Sequence, residues 1–144
     1  MTDIPSYYSR RDVQEAILRE CAGREIGVKY GDKGFGKRPQ ILSLEGDVLY
    51  LAKGGATSFH ISEERWSDPL KLKTGLSRKQ LDEIRSGWDL ILDIDTNYFG
   101  FAKICARLLI EALEYYDVNC YGIKFSGRGG FHIGIPFEAF PEIV

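Results

Sequence analysis

Long apolar runs are missing from this chain. None approaches the roughly 18 residues needed to span a bilayer, and no apolar leader precedes the first helical pattern. Cysteine is scarce, with Cys21, Cys105 and Cys120 alone. These three form no CxxC pair and no Cys/His cluster, which excludes an internal zinc site of the usual spacing. An odd cysteine count without a leader points to a reducing, cytoplasmic setting. A charge excess is lacking too. Nineteen Lys and Arg stand against 21 Asp and Glu, for a formal net charge of −2 and a pI near 5.7. That excludes a basic coat dedicated to nucleic acid but leaves room for a local basic patch. The GxxxxGK[ST] signature of a phosphate-binding loop is absent as well. Residues 31–38, though rich in Gly, Lys and Arg, read as a loop that is free to touch a nucleic-acid backbone.

What is present suits one folded domain. The 144 residues are 44% hydrophobic, enough for a real core. A helix is expected over 10–21, with Val13, Ala16, Ile17 and Cys21 on one stripe and Ser9 as its cap. A short strand follows at 26–30. Residues 41–44 and 48–52 read as a hairpin around Glu45-Gly46-Asp47. Residues 54–69 show no periodicity and read as irregular, with Ser58, His60 and Trp66 in structural roles. Ser77 caps a short helix over 77–85 that turns Leu81 and Ile84 inward.

The pattern sharpens from Trp88 onward. A strand over 89–95 is followed by a helix over 101–116, with Phe101, Ile104, Cys105, Leu108 and Ala112 as its core stripe. Strands over 121–126 and 131–136 flank the turn 127–130. Side chains alternate along a strand. Asp89, Ile91, Asp93 and Asp95 therefore share one face, opposite Trp88, Leu90, Leu92 and Ile94. Lys124 and Ser126 oppose Tyr121, Ile123 and Phe125. His132 and Gly134 oppose Phe131, Ile133 and Ile135. Each strand thus offers an apolar face to a helix and polar residues on the other face.

That polar set has a chemistry. Carboxylates at i and i+2 lie roughly 6–7 Å apart at Cα. They suit Mg²⁺ or Mn²⁺ that also touches substrate phosphates. In two-metal sites the ions stabilise the attacking and leaving oxygens. The turn adds a guanidinium that can fork onto phosphate oxygens, Arg128. Its glycines, Gly127, Gly129 and Gly130, let backbone approach phosphate closely. Each element also has a plainer reading. A DxD at a strand end is often a solvated edge, and a Gly-rich hairpin is usually only a turn.

The two motifs together resemble the archaeo-eukaryotic primase superfamily, most closely the catalytic small subunit of archaeal and eukaryotic DNA primase. Leu92-Asp93-Ile94-Asp95 is similar to its hydrophobic-Asp-hydrophobic-Asp motif. Ser126-Gly127-Arg128-Gly129-Gly130-Phe131-His132 is similar to its Ser-Gly-Arg-Arg-Gly-x-His motif. The resemblance covers about residues 87–137. It implies an α/β (α+β) fold, a primase-type catalytic core with an RNA-recognition-like βαββ unit. It makes the chain, as a single domain 1–144, the N-terminal and incomplete part of that core. Residues 1–86 would be an N-terminal α/β region and 87–137 the motif-bearing βαββ unit.

By the same resemblance Asp93 and Asp95 are metal ligands for Mg²⁺ or Mn²⁺ and the catalytic pair. Ser126, Gly127, Arg128 and His132 contact the incoming nucleotide, and strand alternation adds Lys124. The implied activity is DNA-templated primer synthesis from nucleoside triphosphates. The implied partners are a DNA template and a primase large subunit or a further C-terminal portion, in the cytoplasm or at the nucleoid, with no membrane. Two departures stand out. Gly129 replaces the second arginine. The third motif, a hydrophobic-Asp on a later strand, is expected beyond Val144, with Glu138 and Glu142 as weak stand-ins. The alternatives are an end-joining-type polymerase domain, a non-catalytic remnant of the fold, and an RNA-recognition-type binding module.

Overall fold

The computed structural model describes residues 3–140. They belong to two compact units, Met1–Gly87 and Trp88–Val144. The architecture is mixed α and β, with five α-helices and small antiparallel sheets among the described residues. No helix there is long and apolar enough to cross a membrane.

In the first unit, helices α1 (Ile4–Tyr8) and α2 (Arg11–Cys21) precede strand β1 (Ile26–Lys29). The α2 stripe puts Cys21, Ile17 and Leu18 into a core with Ile26, Val28, Leu42, Val48 and Ala56. Ser9 does not cap α2. The N-cap is Arg10, without a side-chain bond, and the Ser9 hydroxyl instead donates to the carbonyl of Ser6. Strand β1 pairs antiparallel with β2 (Ser58–Ile61), His60 lying opposite Gly27.

The expected hairpin over 41–52 does not form. Asp47–Lys53 is a helix, α3. The Asp47 carboxylate accepts the amides of Ser43 and Leu44 at 3.2 and 2.9 Å, and Gly46 takes a left-handed conformation at the N-cap. Val48 and Ala52, one turn apart, are both buried. Residues 54–69, read as irregular, contain β2 and β3 (Glu64–Trp66).

Helix α4 (Arg78–Ile84) starts with a full capping box between Ser77 and Gln80, as Ser77 leads one to expect. β3 forms a second two-stranded sheet with β4 (Arg85–Trp88). The Arg85 guanidinium bonds Glu64 at 2.9 and 2.6 Å and lies 5.3 Å from the Trp66 ring centre.

Burial pushes the Cys21 thiol up to about 11, with the Glu20 charge adding to the effect. Cys105 and Cys120 are exposed. Thiolate is the reactive form. With Ellman's reagent at pH 8, Cys105 and Cys120 are expected to react promptly in the native protein, and Cys21 only after denaturant is added. Three equally fast thiols in the native state would contradict the burial of Cys21.

Among its described residues the second unit is one three-stranded sheet with one α-helix. Strand β5 (Leu90–Ile94) leads to α5 (Phe99–Tyr115), then to β6 (Gly122–Phe125) and β7 (Phe131–Ile135). The sheet order is β5-β7-β6, and β7 is antiparallel to both neighbours. β5 and β6 therefore run parallel with β7 between them, a βαββ unit. The core holds Ile94, Ile133, Ile135, Ala102, Ala106 and Val118, with Leu109, Ile110 and Leu113 packed against it.

The α5 stripe differs from expectation. Phe101, Ile104 and Leu108 are 64, 50 and 53% exposed, and Cys105 and Ala112 are also on the outside. The helix has a narrow polar stripe, Lys103, Arg107, Glu111 and Glu114, and is apolar over the rest of its circumference, so spacing alone allows two apolar stripes. Ala102 and Ala106 form the inner one, because their small side chains let helix and sheet backbones come close. The Tyr121 hydroxyl donates to Glu114 at 2.6 Å, tying the start of β6 to α5.

Candidate functional site

Residues directly opposite in an antiparallel ladder share a face. Asp93 lies opposite His132, and His132 opposite Lys124. One straight row thus crosses all three strands, a carboxylate, an imidazole and an ammonium in sequence. It stands on the face away from the core, since Ile94, Ile133 and Ile135 are buried on the other. His132 Nε2 is 3.3 Å from Asp93 Oδ1. Lys124 and Arg128 are exposed and make no ion pair among the described residues.

The next row on this face is Ile91, Gly134 and Gly122. Two of its three members have no side chain, leaving a bare strip of backbone beside the polar row. Sequence reasoning passed over Gly122 and Gly134 as site elements. Their signal is parity, since each lies two residues from Lys124 or His132.

The turn after β6 is fixed by a reciprocal pair of bonds. The Ser126 amide donates to the Gly130 carbonyl at 3.0 Å, and the Gly130 amide donates to the Ser126 hydroxyl at 3.1 Å. Ser126 is therefore a clamp within the turn as well as a candidate phosphate contact. Gly127 has φ of +94°, a conformation that favours glycine. The amides of Gly127, Arg128 and Gly129 take part in no hydrogen bond among the described residues, leaving three donors open.

Gly129 and Gly130 press this turn onto the end of β5. A Cβ on Gly130 would overlap the Ile94 carbonyl oxygen, and one on Gly129 would lie 2.5 Å from the Thr96 carbonyl oxygen. The contact sets the turn beside Asp95, whose Cα is 3.3 Å from the position of a Gly130 Cβ. It also disfavours any side chain at 129, because a Cβ there would strike the Thr96 carbonyl oxygen.

Asp95 follows β5 directly and is exposed, as is Asp93. Two carboxylates supply hard oxygen donors of the kind Mg²⁺ and Mn²⁺ take. Among the described residues no group of three or more His, Cys, Asp and Glu side chains is placed to hold a metal ion. Substrate phosphates would have to complete the coordination. Of the other acidic residues nearby, Asp89 is engaged as a cap, accepting the Phe137 amide at 3.0 Å. Glu138 sits in the turn Phe137–Ala139. Glu142 lies outside the described residues.

The structure thus brings Asp93, His132 and Lys124 into one row and sets the Ser126–Gly130 turn against the end of β5 beside Asp95. No protein-family profile matches this chain, and no curated protein sequence matches it.

Proposed function

We propose that this chain carries the catalytic face of a primase-type nucleotidyltransferase. In this reading it joins nucleoside triphosphates on a DNA template, on a core of the RNA-recognition-like βαββ type. The observation that carries the proposal is the row Asp93–His132–Lys124 with the Gly-rich turn closed over the end of β5. That arrangement supports one polar surface of fitting chemistry, carboxylates at one side and cationic or neutral donors at the other.

Asp93 and Asp95 hold the divalent cation, which when bound neutralises phosphate charge and aligns the attacking and leaving oxygens. Arg128 and Lys124 bind the anionic triphosphate. The three open amides of the turn add donors that need no side-chain ordering. His132, in the middle of the row, reaches the phosphates from the strand face and is oriented by Asp93. Phosphoryl transfer depends mainly on positioning and charge stabilisation, and these residues supply both. A binding module of the RNA-recognition type needs stacking aromatics on this face. Here Phe125 and Phe131 stand on the opposite one, where both pack against Phe99.

The test is binding of a fluorescent ATP analogue in the presence of Mn²⁺. Wild type is expected to bind it. Arg128→Ala is expected to weaken binding by about 10- to 150-fold, since hydrogen bonds to charged groups contribute roughly 1.5–3 kcal/mol. Wild-type affinity in the Arg128→Ala variant would remove the turn from the site.

A further inference from the structure

The Gly-rich segment 31–38 has a place in the first unit that the sheet site does not use. Residues 34–40 turn back along β1, opposite to β2. Phe35 bridges Lys29, the Gly36 amide donates to the Val28 carbonyl at 2.8 Å, and the Ile26 amide donates to the Gln40 carbonyl at 2.8 Å. β1 is therefore flanked on both sides. Its inner face carries Ile26 and Val28, both with no exposure. Its outer face carries Gly27, Lys29, Phe35, Ser58 and His60, by register.

The outer face is aromatic and basic. The Phe35 ring is 52% exposed. It meets the His60 ring edge-on at 5.2 Å and 76°. Gly27 makes the space for it, since a Cβ there would stand 3.2 Å from two Phe35 ring carbons. Ser58 Oγ lies 3.0 Å from His60 Nε2 and steadies that ring. Lys29, Lys33 and Lys37 are exposed and make no ion pair among the described residues. Arg38, by contrast, is held by the buried Glu25 at 2.8 Å. Asp32 is the one acidic side chain within 29–38. Charge is also divided along the chain. Residues 1–87 have 15 Lys and Arg against 13 Asp and Glu, a net of +2. Residues 88–144 have 4 against 8, a net of −4.

We infer that this outer face binds a single-stranded polynucleotide. A fixed, exposed ring suits a flat base, and the exposed lysines Lys29, paired with Phe35 across the bridge, and Lys33 and Lys37, two residues to either side of it in sequence, suit phosphates. A duplex would hide its base faces from Phe35. An apolar peptide would have no use for the three lysines. The inference goes beyond the sheet site and requires neither Asp93 nor Arg128.

The experiment is fluorescence anisotropy of labelled dT20 and rU20 with the whole chain, without nucleotide or divalent cation, at 50 and 200 mM NaCl. Both oligonucleotides are expected to bind, more weakly at the higher salt. Each phosphate contact contributes about −0.7 to the logarithmic salt slope for single strands. Lys29→Ala/Lys37→Ala should therefore flatten the slope by about 1.4. Stacking of one base is worth roughly 1–3 kcal/mol, so Phe35→Leu should weaken binding about 5- to 150-fold while Phe35→Trp retains it. Circular dichroism checks that each variant is folded, and each should keep wild-type binding of the Mn²⁺-bound ATP analogue. No binding of either oligonucleotide at 50 mM NaCl would overturn the inference. So would equal binding by Phe35→Leu, or equally strong competition by polyglutamate of matched charge. Failure of ATP-analogue binding alone would strike the sheet site and leave this one standing.

Discussion

Gly130→Ala should destabilise the βαββ unit by about 3 kcal/mol or more, beyond the usual cost of one extra methyl in a packed site. The added carbon would occupy the place of the Ile94 carbonyl oxygen. That oxygen belongs to the end of β5, and backbone at the end of a paired strand cannot swing aside as a side-chain tip can. Relief requires lifting the turn. Lifting it breaks the Ser126–Gly130 pair of bonds and separates the turn from Asp95. Gly122→Ala is the matched control. It lies in β6, and nothing stands within 4 Å of its Cβ position. That variant should unfold within about 0.5 kcal/mol of wild type. Urea unfolding followed by circular dichroism reads both. A Gly130→Ala protein as stable as wild type would show that the turn does not rest on β5.

Asp93→Ala/Asp95→Ala should abolish Mn²⁺ binding. In the proposed reading the two carboxylates are the anionic metal ligands, and neither Lys124 nor Arg128 can replace them. Electron paramagnetic resonance of free Mn²⁺ gives the measurement directly. Wild type should take up the ion, weakly for want of a third acid among the described residues, and the double variant should not. A second reading comes from linkage, since a ligand at 100 times its Kd stabilises the native state by about 2.7 kcal/mol. Mn²⁺ should raise the melting temperature of wild type and leave that of the double variant unchanged. Without metal the variant should be at least as stable as wild type, because removing two neighbouring like charges relieves repulsion. Equal Mn²⁺ uptake by both proteins would end the assignment.

The βαββ part of the fold is legible in the sequence for a physical reason. β5 and β7 alternate over five residues each, α5 spans 17, and each is long enough for its period to exceed chance. The candidate row needs the same alternation plus two registers: the turn 127–130 sets that of β6 on β7, while that of β5 on β7 comes from tertiary packing. The first unit is less legible because its elements are short. Val48-Leu49-Tyr50-Leu51-Ala52 suits a strand and a helix alike, and the cap formed by Asp47 and Gly46 decides for the helix. In β2, Ser58 and His60 alternate with Phe59 and Ile61, but four residues are too few for the pattern to stand out. The α5 stripe is illegible for another reason. Phe101, Ile104 and Leu108 are more hydrophobic than Ala102 and Ala106, and a hydropathy argument favours the larger residues. Close approach of backbone to backbone favours the smaller ones, and it prevails.

The central position of β7 has a kinetic side. His132 hangs from a strand bonded to a neighbour on each edge and anchored by Ile133 and Ile135, which have no exposure. Edge strands fray on fast timescales, whereas a doubly bonded central strand opens only with the cooperative unit around it. The backbone that carries the imidazole therefore keeps its place for as long as the sheet persists. The His132 amide proton should be among the slowest of this unit to exchange with solvent, and the backbone under the polar row lasts as long as the sheet itself.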